Sequence, residues 1–190
     1  MTNTDSQTQG LYDSSFEHDA CGVGFIANIK GRKSHQIVSD ALTILENMEH
    51  RGACGCDSDS GDGAGILIQV PHEFFKREAS KLNISLDKPG SYGVGMIFFP
   101  KKATIKEACR AAIGKAAEKL GLKILAYRKV PVNANIIGET AFSSEPDIEQ
   151  LFIARPSYIH TPEDFERKLY VLKNYITKTV LETVAGADQQ

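Results

Sequence analysis

No stretch of the 190-residue sequence is apolar for long enough to cross a bilayer. The longest apolar runs, Gly63 to Val70 and Val94 to Pro100, fall far short of the ~20 residues that a spanning helix needs. Neither sign of charge prevails: 22 Lys and Arg stand against 24 Asp and Glu, a net charge of -2. The chain therefore has no general attraction for nucleic acid or an anionic membrane surface. Residues 1–20 show no cationic segment leading into an apolar one, and Asp5, Asp13, Glu17 and Asp19 fall within them. Neither a secretory signal nor a transit peptide has that composition, so a cytoplasmic protein is expected. Cysteine is sparse as well. Without a secretory signal, Cys21, Cys54, Cys56 and Cys109 read as thiols and not as a disulfide framework. What is present is an ordinary globular balance, 42% apolar and 24% charged, enough for one core and so for one domain or most of one.

Residues 1–20 are polar, rich in Thr, Ser, Gln and Asp, and have no apolar period, which reads as a leader without a fold of its own. Character changes at Cys21. Cys21-Gly-Val-Gly-Phe-Ile-Ala-Asn-Ile29 alternates as a buried strand does. Ser34 then stands as an N-cap before Ile37, Val38, Ala41, Leu42, Leu45 and Met48, one face of a helix that Gly52 would stop. Residues 51–65, crowded with Gly, Asp and Ser, form a loop into a strand Ile66–Val70, and Pro71 suits the first position of a short helix. Beyond it the pattern predicts a strand Tyr92–Phe99, a helix from about Thr104 closed by Gly121, a strand Leu122–Val132, a loop around Asn133, Asn135 and Gly138, and a strand Ile148–Ala154. The last helix has Thr161 as N-cap and Pro162 at its first position, with Phe165, Leu169, Leu172, Ile176 and Val180 along one stripe. From Tyr92 on, the order strand, helix, strand, strand, helix is that of a ferredoxin-like βαββα unit without its last strand. The fold class expected is α/β in the broad sense, α+β in the narrow one.

A cysteine attacks as its thiolate, so something must take the proton. The amide nitrogen of an internal Cys21 cannot. A cut between Ala20 and Cys21 would give the residue an α-amine of reference pKa ~7.7–8.0, suited to general-base work near neutral pH. A leader that ends at a small residue directly before a strand starting with Cys fits such a cut.

The run Leu11-Tyr-Asp-Ser-Ser-Phe-Glu-His-Asp-Ala-Cys-Gly-Val-Gly-Phe-Ile-Ala27 resembles the propeptide junction of glutamate synthase large chains. Ser34 to Leu45, His50-Arg-Gly-Ala53, Gly61-Asp-Gly-Ala-Gly-Ile66, Pro71-His-Glu-Phe-Phe75 and Gly138-Glu-Thr-Ala-Phe-Ser-Ser-Glu-Pro146 are similar to segments of the same family in the same order. The resemblance implies a type 2 glutamine amidotransferase domain over residues 21–190 behind a propeptide-like leader. Its fold would be part of an N-terminal-nucleophile sandwich, two packed sheets with helices on both outer faces. It also implies that Cys21 attacks the side-chain amide of glutamine, that its α-amine relays a proton to the departing ammonia, and that the ammonia reaches a distant site where 2-oxoglutarate is aminated. FMN and an iron–sulfur cluster serve that second half in the family, and no site for either is legible in this chain. The implied partners are glutamine and the remainder of the large chain, whether continuous with these residues or a separate chain.

Arg51 and Asp62 resemble the two halves of an Arg-Gly-x-Asp-Ser-Ala-Gly stretch of other type 2 amidotransferases, split here by an insertion, where they would position the nucleophile's loop. A plain helix end, with Arg51 complementing the dipole, explains them equally well. Two family motifs are missing: no Asn-Gly pair for an oxyanion hole and no His-x-Arg-Phe-Ser-Thr segment to clamp the substrate carboxylate occurs in the 190 residues. The expectation is therefore a chain that stops mid-fold and is inactive alone. The rival from another class is a non-catalytic binding or regulatory module in which Cys21 is vestigial.

Other candidates carry less. Gly61 to Gly65 precedes a strand instead of joining a strand to a helix, and Ile66 occupies the third fingerprint position, so a phosphate loop is not expected. Asp57, Asp59 and Asp62 fail as a calcium loop because Asp62 and Ile68 stand where Gly and a bidentate Glu are needed. Cys54 and Cys56 lack two further ligands. His35, His50 and His72 read as structural, and a Cys–His protease arrangement has no support around Cys21.

Overall fold

The computed structural model describes residues 22–49, 59–61 and 63–185. The chain divides into two compact units, residues 1–68 with 134–143 and residues 69–133 with 144–190.

In the first unit, helix α1 (His35–Asn47) forms where the period places it, with extended Ser34 at its N-cap position, although the Ser34 side chain makes no capping bond. No residue of α1 is fully buried, and Leu42 is half exposed. The loop expected around Gly138 contains more structure than its composition suggested: a 3-10 turn (Ala134–Ile136) and a short helix α4 (Glu139–Ser143).

Helix α2 (His72–Ser80), strand β1 (Tyr92–Phe99), helix α3 (Ala103–Lys119), strand β2 (Lys123–Lys129), strand β3 (Asp147–Ala154) and helix α5 (Pro162–Val180) build the second unit. β3 lies between β1 and β2 and runs antiparallel to both. β1 and β2 are thus parallel, joined by α3 with β3 inserted between them, a split β-α-β arrangement. β3 takes the centre because Leu151-Phe-Ile153 is apolar on both faces, and all three side chains are buried.

Residues of odd number on β3 face α3 and α5. There Leu151 and Ile153 pack with Phe99, Ile113, Ala116, Phe165 and Leu172. On the opposite face Phe152 meets Phe75, Ala79, Leu86 and Tyr92 under α2. Complete burial of Phe99 and Phe152 stabilises the unit by roughly 1.5–3 kcal/mol each. A bulge between Ile124 and Ala126 lets Ile124 and Tyr127 both reach the α3/α5 side while Leu125 turns to the other, which strict alternation would forbid. At the end of α3 the N–H of Leu122 reaches the Ala117 carbonyl and that of Gly121 the Glu118 carbonyl, the stop expected at Gly121. Thr161 caps α5, its Oγ1 accepting from the Asp164 N–H at 3.1 Å.

Three sequence expectations are corrected. Gly22–Ile29 is not a strand, and Val23, Phe25 and Ile29 are more than nine-tenths exposed. Ile66–Val70 is not a strand either; Leu67 is fully exposed. Alternating apolarity states which faces can be buried, but a strand exists only when its N–H and C=O groups find a neighbouring strand, and among the described residues neither segment has one. Pro71 stands at the N-cap position of α2 and not inside the helix. The architecture is α+β with a small antiparallel sheet.

Candidate functional site

Cys21, Arg51 and Asp62 lie outside the described residues, as do His50, Cys54 and Cys56. The described chain just after Cys21 and just before Asp62 is held by local contacts in the first unit. Three residues after Cys21, Gly24 passes so close to α1 that a Cβ there would stand 2.5 Å from Ile44 Cγ2. Any side chain at that position would force either the segment or Ile44 to shift. On the approach to Asp62, the Asp59 carbonyl accepts from the Gly138 N–H at 2.9 Å. Buried Ser60 accepts on its Oγ from the Ala141 N–H at 3.1 Å. Gly138 directly precedes α4 and Ala141 lies in its first turn, where N–H groups have no partner within the helix, so the start of α4 serves as an anchor for residues 59–60. Sequence reasoning missed this anchor. The signal was present in Gly138-Glu-Thr-Ala, a plausible helix start, but the complementary Ser60 lies 81 residues away from Ala141.

A second polar constellation, also missed, sits on the α3 side of β3. Glu149 shares the parity of Leu151 and Ile153, and its side chain is only 5% exposed. Arg110 Nη2 donates to both its carboxylate oxygens at 2.7 and 2.5 Å, and Lys106 Nζ stands 2.6 Å from Oε1. Lys106 also pairs with Asp147. Burial alone would push the Glu149 carboxyl up, but the Lys106 and Arg110 hydrogen bonds outweigh it and hold it below the usual carboxylate range. The Lys106 hydrogen bond does the same for Asp147. Arg110 further lies over the Tyr127 ring, 4.9 Å from its centroid. On the opposite face Arg128 binds Glu78 Oε2 through Nε and Nη2 at 3.1 and 2.8 Å and Gln150 through Nη1 at 3.0 Å, which ties α2 to the sheet. These charges are paired with one another and hold elements together.

His35 Nδ1 lies 3.3 Å from Ser39 Oγ, and His72 Nδ1 lies 3.2 Å from Tyr92 Oη. Both have ordinary structural partners. Among the described residues no three His, Cys, Asp or Glu side chains come together as metal ligands would. Cys109 is buried in the α3 core, where desolvation pushes its thiol up. An iron–sulfur cluster takes about four thiolates in one place, and a thiol enclosed in that packing does not fit the role. No described helix is long and apolar enough to cross a membrane.

Comparison with known families supplies what local geometry does not. The family model for glutamine amidotransferases of class II matches residues 21–189. The chain belongs to this family. Its curated relatives include the glutamate synthase [NADPH] large chain of Bacillus subtilis (strain 168), 44% identical over 167 residues, a stretch that covers 88% of this chain and 11% of that protein. The glutamate synthase [NADH] of Schizosaccharomyces pombe is 44% identical over 172 residues, covering 88% and 8% respectively. The ferredoxin-dependent glutamate synthase 1 of Arabidopsis thaliana is 41% identical over 182 residues, covering 96% and 11%. The chain thus spans about a tenth of the length of these amidotransferase relatives.

Proposed function

We propose that these residues are the glutaminase part of a glutamate synthase, with Cys21 as an N-terminal nucleophile released by a cut after Ala20. The observation that carries this reading is where the family match starts: it begins at Cys21 and leaves the polar leader outside. Cys21 Sγ, its proton taken by its own α-amine, attacks the side-chain carbonyl carbon of glutamine. The C–N bond breaks, and the amine returns the proton to the leaving ammonia. Water then cleaves the γ-glutamyl thioester, giving glutamate and the free thiol. The ammonia goes on to aminate 2-oxoglutarate at a site outside these residues, where flavin and iron–sulfur chemistry belongs.

The close passage of Gly24 along α1 and the hold on residues 59–60 support a role for the flanking loops in placing Cys21, with Arg51 and Asp62 orienting the nucleophile. The N-terminal-nucleophile sandwich is part of the same proposal. Its first sheet would draw Gly22–Ile29 and Ile66–Val70 into pairs with further strands, which suits the exposed apolar side chains of both segments.

The 190 residues contain no Asn-Gly pair, and loss of one oxyanion donor alone costs ~10²- to 10³-fold in rate. Residues 21–190, starting at a free Cys21 amine, are therefore expected to release ammonia from glutamine no faster than their Cys21→Ala variant. Intact mass of the protein purified from its native host tests the nucleophile itself. Loss of residues 1–20 is expected, and a retained leader would refute the assignment, because Cys21 would then have no amine to act with.

A further inference from the structure

The segment that follows Cys21 runs back along α1. Between the two, a closed turn reverses the chain: Asn28 Oδ1 accepts from the Lys30 and Arg32 N–H groups at 3.0 and 3.2 Å, and the Asn28 carbonyl accepts from the Gly31 N–H at 2.8 Å. From Asn28 back to Gly24 an extended chain covers about 13 Å, and from His35 along the helix to Ile44 the rise is about 14 Å. Gly24 and Ile44 therefore stand level, and there they touch.

What this contact requires is the absence of a side chain at position 24. Gly24 does not adopt a positive φ, unlike Gly31, Gly63, Gly90 and Gly121, so its backbone would accept an alanine. Space is what forbids one. The three heavy atoms nearest to a Cβ on Gly24 all belong to Ile44: Cγ2 at 2.5 Å, Cβ at 3.8 Å and Cδ1 at 3.9 Å. Carbon atoms pack at about 3.5–4.0 Å, so one methyl group, Cγ2, stands in the way by about 1 Å. A β-branched residue on a helix has one strongly preferred χ1 rotamer. Ile44 thus resists swinging that methyl aside, and the segment is the easier part to displace.

We infer that Ile44 is a positioning residue for Cys21: its Cγ2 methyl is the stop against which Gly24 rests. Three residues of chain, at most about 11 Å, pass that position on to the nucleophile. The inference rests on the reading of Cys21 as the nucleophile. The apolar period of α1 pointed to Leu42, which is 48% exposed, and passed over Ile44, which is partly buried.

The test moves one methyl group across the contact in the full-length polypeptide and reads ammonia release from glutamine. Gly24→Ala puts a methyl where Cγ2 already stands, and a displacement of about 1 Å should lower kcat roughly 10- to 100-fold. KM for glutamine should stay within about twofold, since the nucleophile moves and the substrate's binding does not change. Ile44→Ala removes the stop and should lower kcat about three- to tenfold. Combining the two leaves the Cβ at position 44, 3.8 Å away, as the nearest of these atoms. That is an ordinary contact, so the double variant should be at least about fivefold faster than Gly24→Ala. Ile44→Val keeps the Cγ2 branch; alone it should stay within about twofold of wild type, and it should not rescue Gly24→Ala. Circular dichroism establishes that each variant compared is folded at the assay temperature. Should Gly24→Ala fail to fold, the contrast between Ile44→Val and Ile44→Ala decides. Equal kcat for those two, a double variant no faster than Gly24→Ala, or changes confined to the urea midpoint would overturn the inference, and an inactive Cys21→Ala would then leave the nucleophile in place. Ammonia release by Cys21→Ala at the wild-type rate would overturn the nucleophile and this inference with it.

Discussion

In Glu149→Gln the side chain keeps its shape and one acceptor oxygen but loses the charge that faces two cations. The wild-type carboxylate takes two bonds from Arg110 Nη2 and one from Lys106 Nζ, all within 2.7 Å, and is nearly sealed from solvent. Removing one partner of a buried ion pair costs about 3–5 kcal/mol, and a charge-assisted hydrogen bond contributes about 1.5–3 kcal/mol. The amide oxygen retains part of the bonding, and Asp147 still neutralises Lys106, so the expected loss is about 2–3 kcal/mol at pH 7.

The sign of the pH dependence follows from the lowered carboxyl. A group held lower in the folded than in the unfolded chain contributes its full stability above the unfolded value, and loses it as pH falls through the folded one. The gap between wild type and Glu149→Gln should therefore be constant from neutral pH down to about 5 and shrink below about 4. Asp147 shares Lys106 with Glu149 and is likewise held below the usual carboxylate range, so its own loss of stability in acid is common to wild type and Glu149→Gln. Urea unfolding followed by circular dichroism across this range measures the gap. A loss below about 0.5 kcal/mol at pH 7, or one that does not change with pH, would show that the carboxylate is interchangeable with any polar group and refute the reasoning.

Two further outcomes follow from local geometry. Gly93→Ala should cost about 1–3 kcal/mol by overlap with Leu169, and combining it with Leu169→Ala should cost less than the sum of the single changes by at least about 0.5 kcal/mol; strict additivity in urea unfolding would mean that the two do not touch. Thr161→Ala should cost about 1 kcal/mol through the lost cap on the Asp164 N–H, and Thr161→Asn should restore most of it; equal melting temperatures for Thr161→Ala and wild type would refute the cap.

Much of the second unit is legible in the order of its residues. β1 runs over Tyr92–Phe99 as its apolar run predicts, and α5 begins at Pro162 behind Thr161. Local signals of this kind, periodicity with caps and stops, act within a few residues and need no partner. Even the split arrangement of the strands follows from their order, because few right-handed, uncrossed topologies accommodate it. For Cys21 the sequence speaks through its neighbours: a polar stretch, a small residue and an apolar run.

What depends on a distant partner is not legible. Gly22–Ile29 and Ile66–Val70 have the composition of strands but no strand beside them among the described residues, because apolar alternation does not name the neighbour that must complete the hydrogen bonds. Ser60 reads as one more loop serine until Ala141 is brought to its Oγ. Glu149 reads as a polar interruption of a core strand until Lys106 and Arg110, about forty residues earlier in the chain, are turned toward it by one face of α3. Residue type and spacing along the chain determined which elements form and where they stop. Only the tertiary structure decided which of their polar groups meet, since burying a charge is tolerable only where the fold supplies its counter-charge.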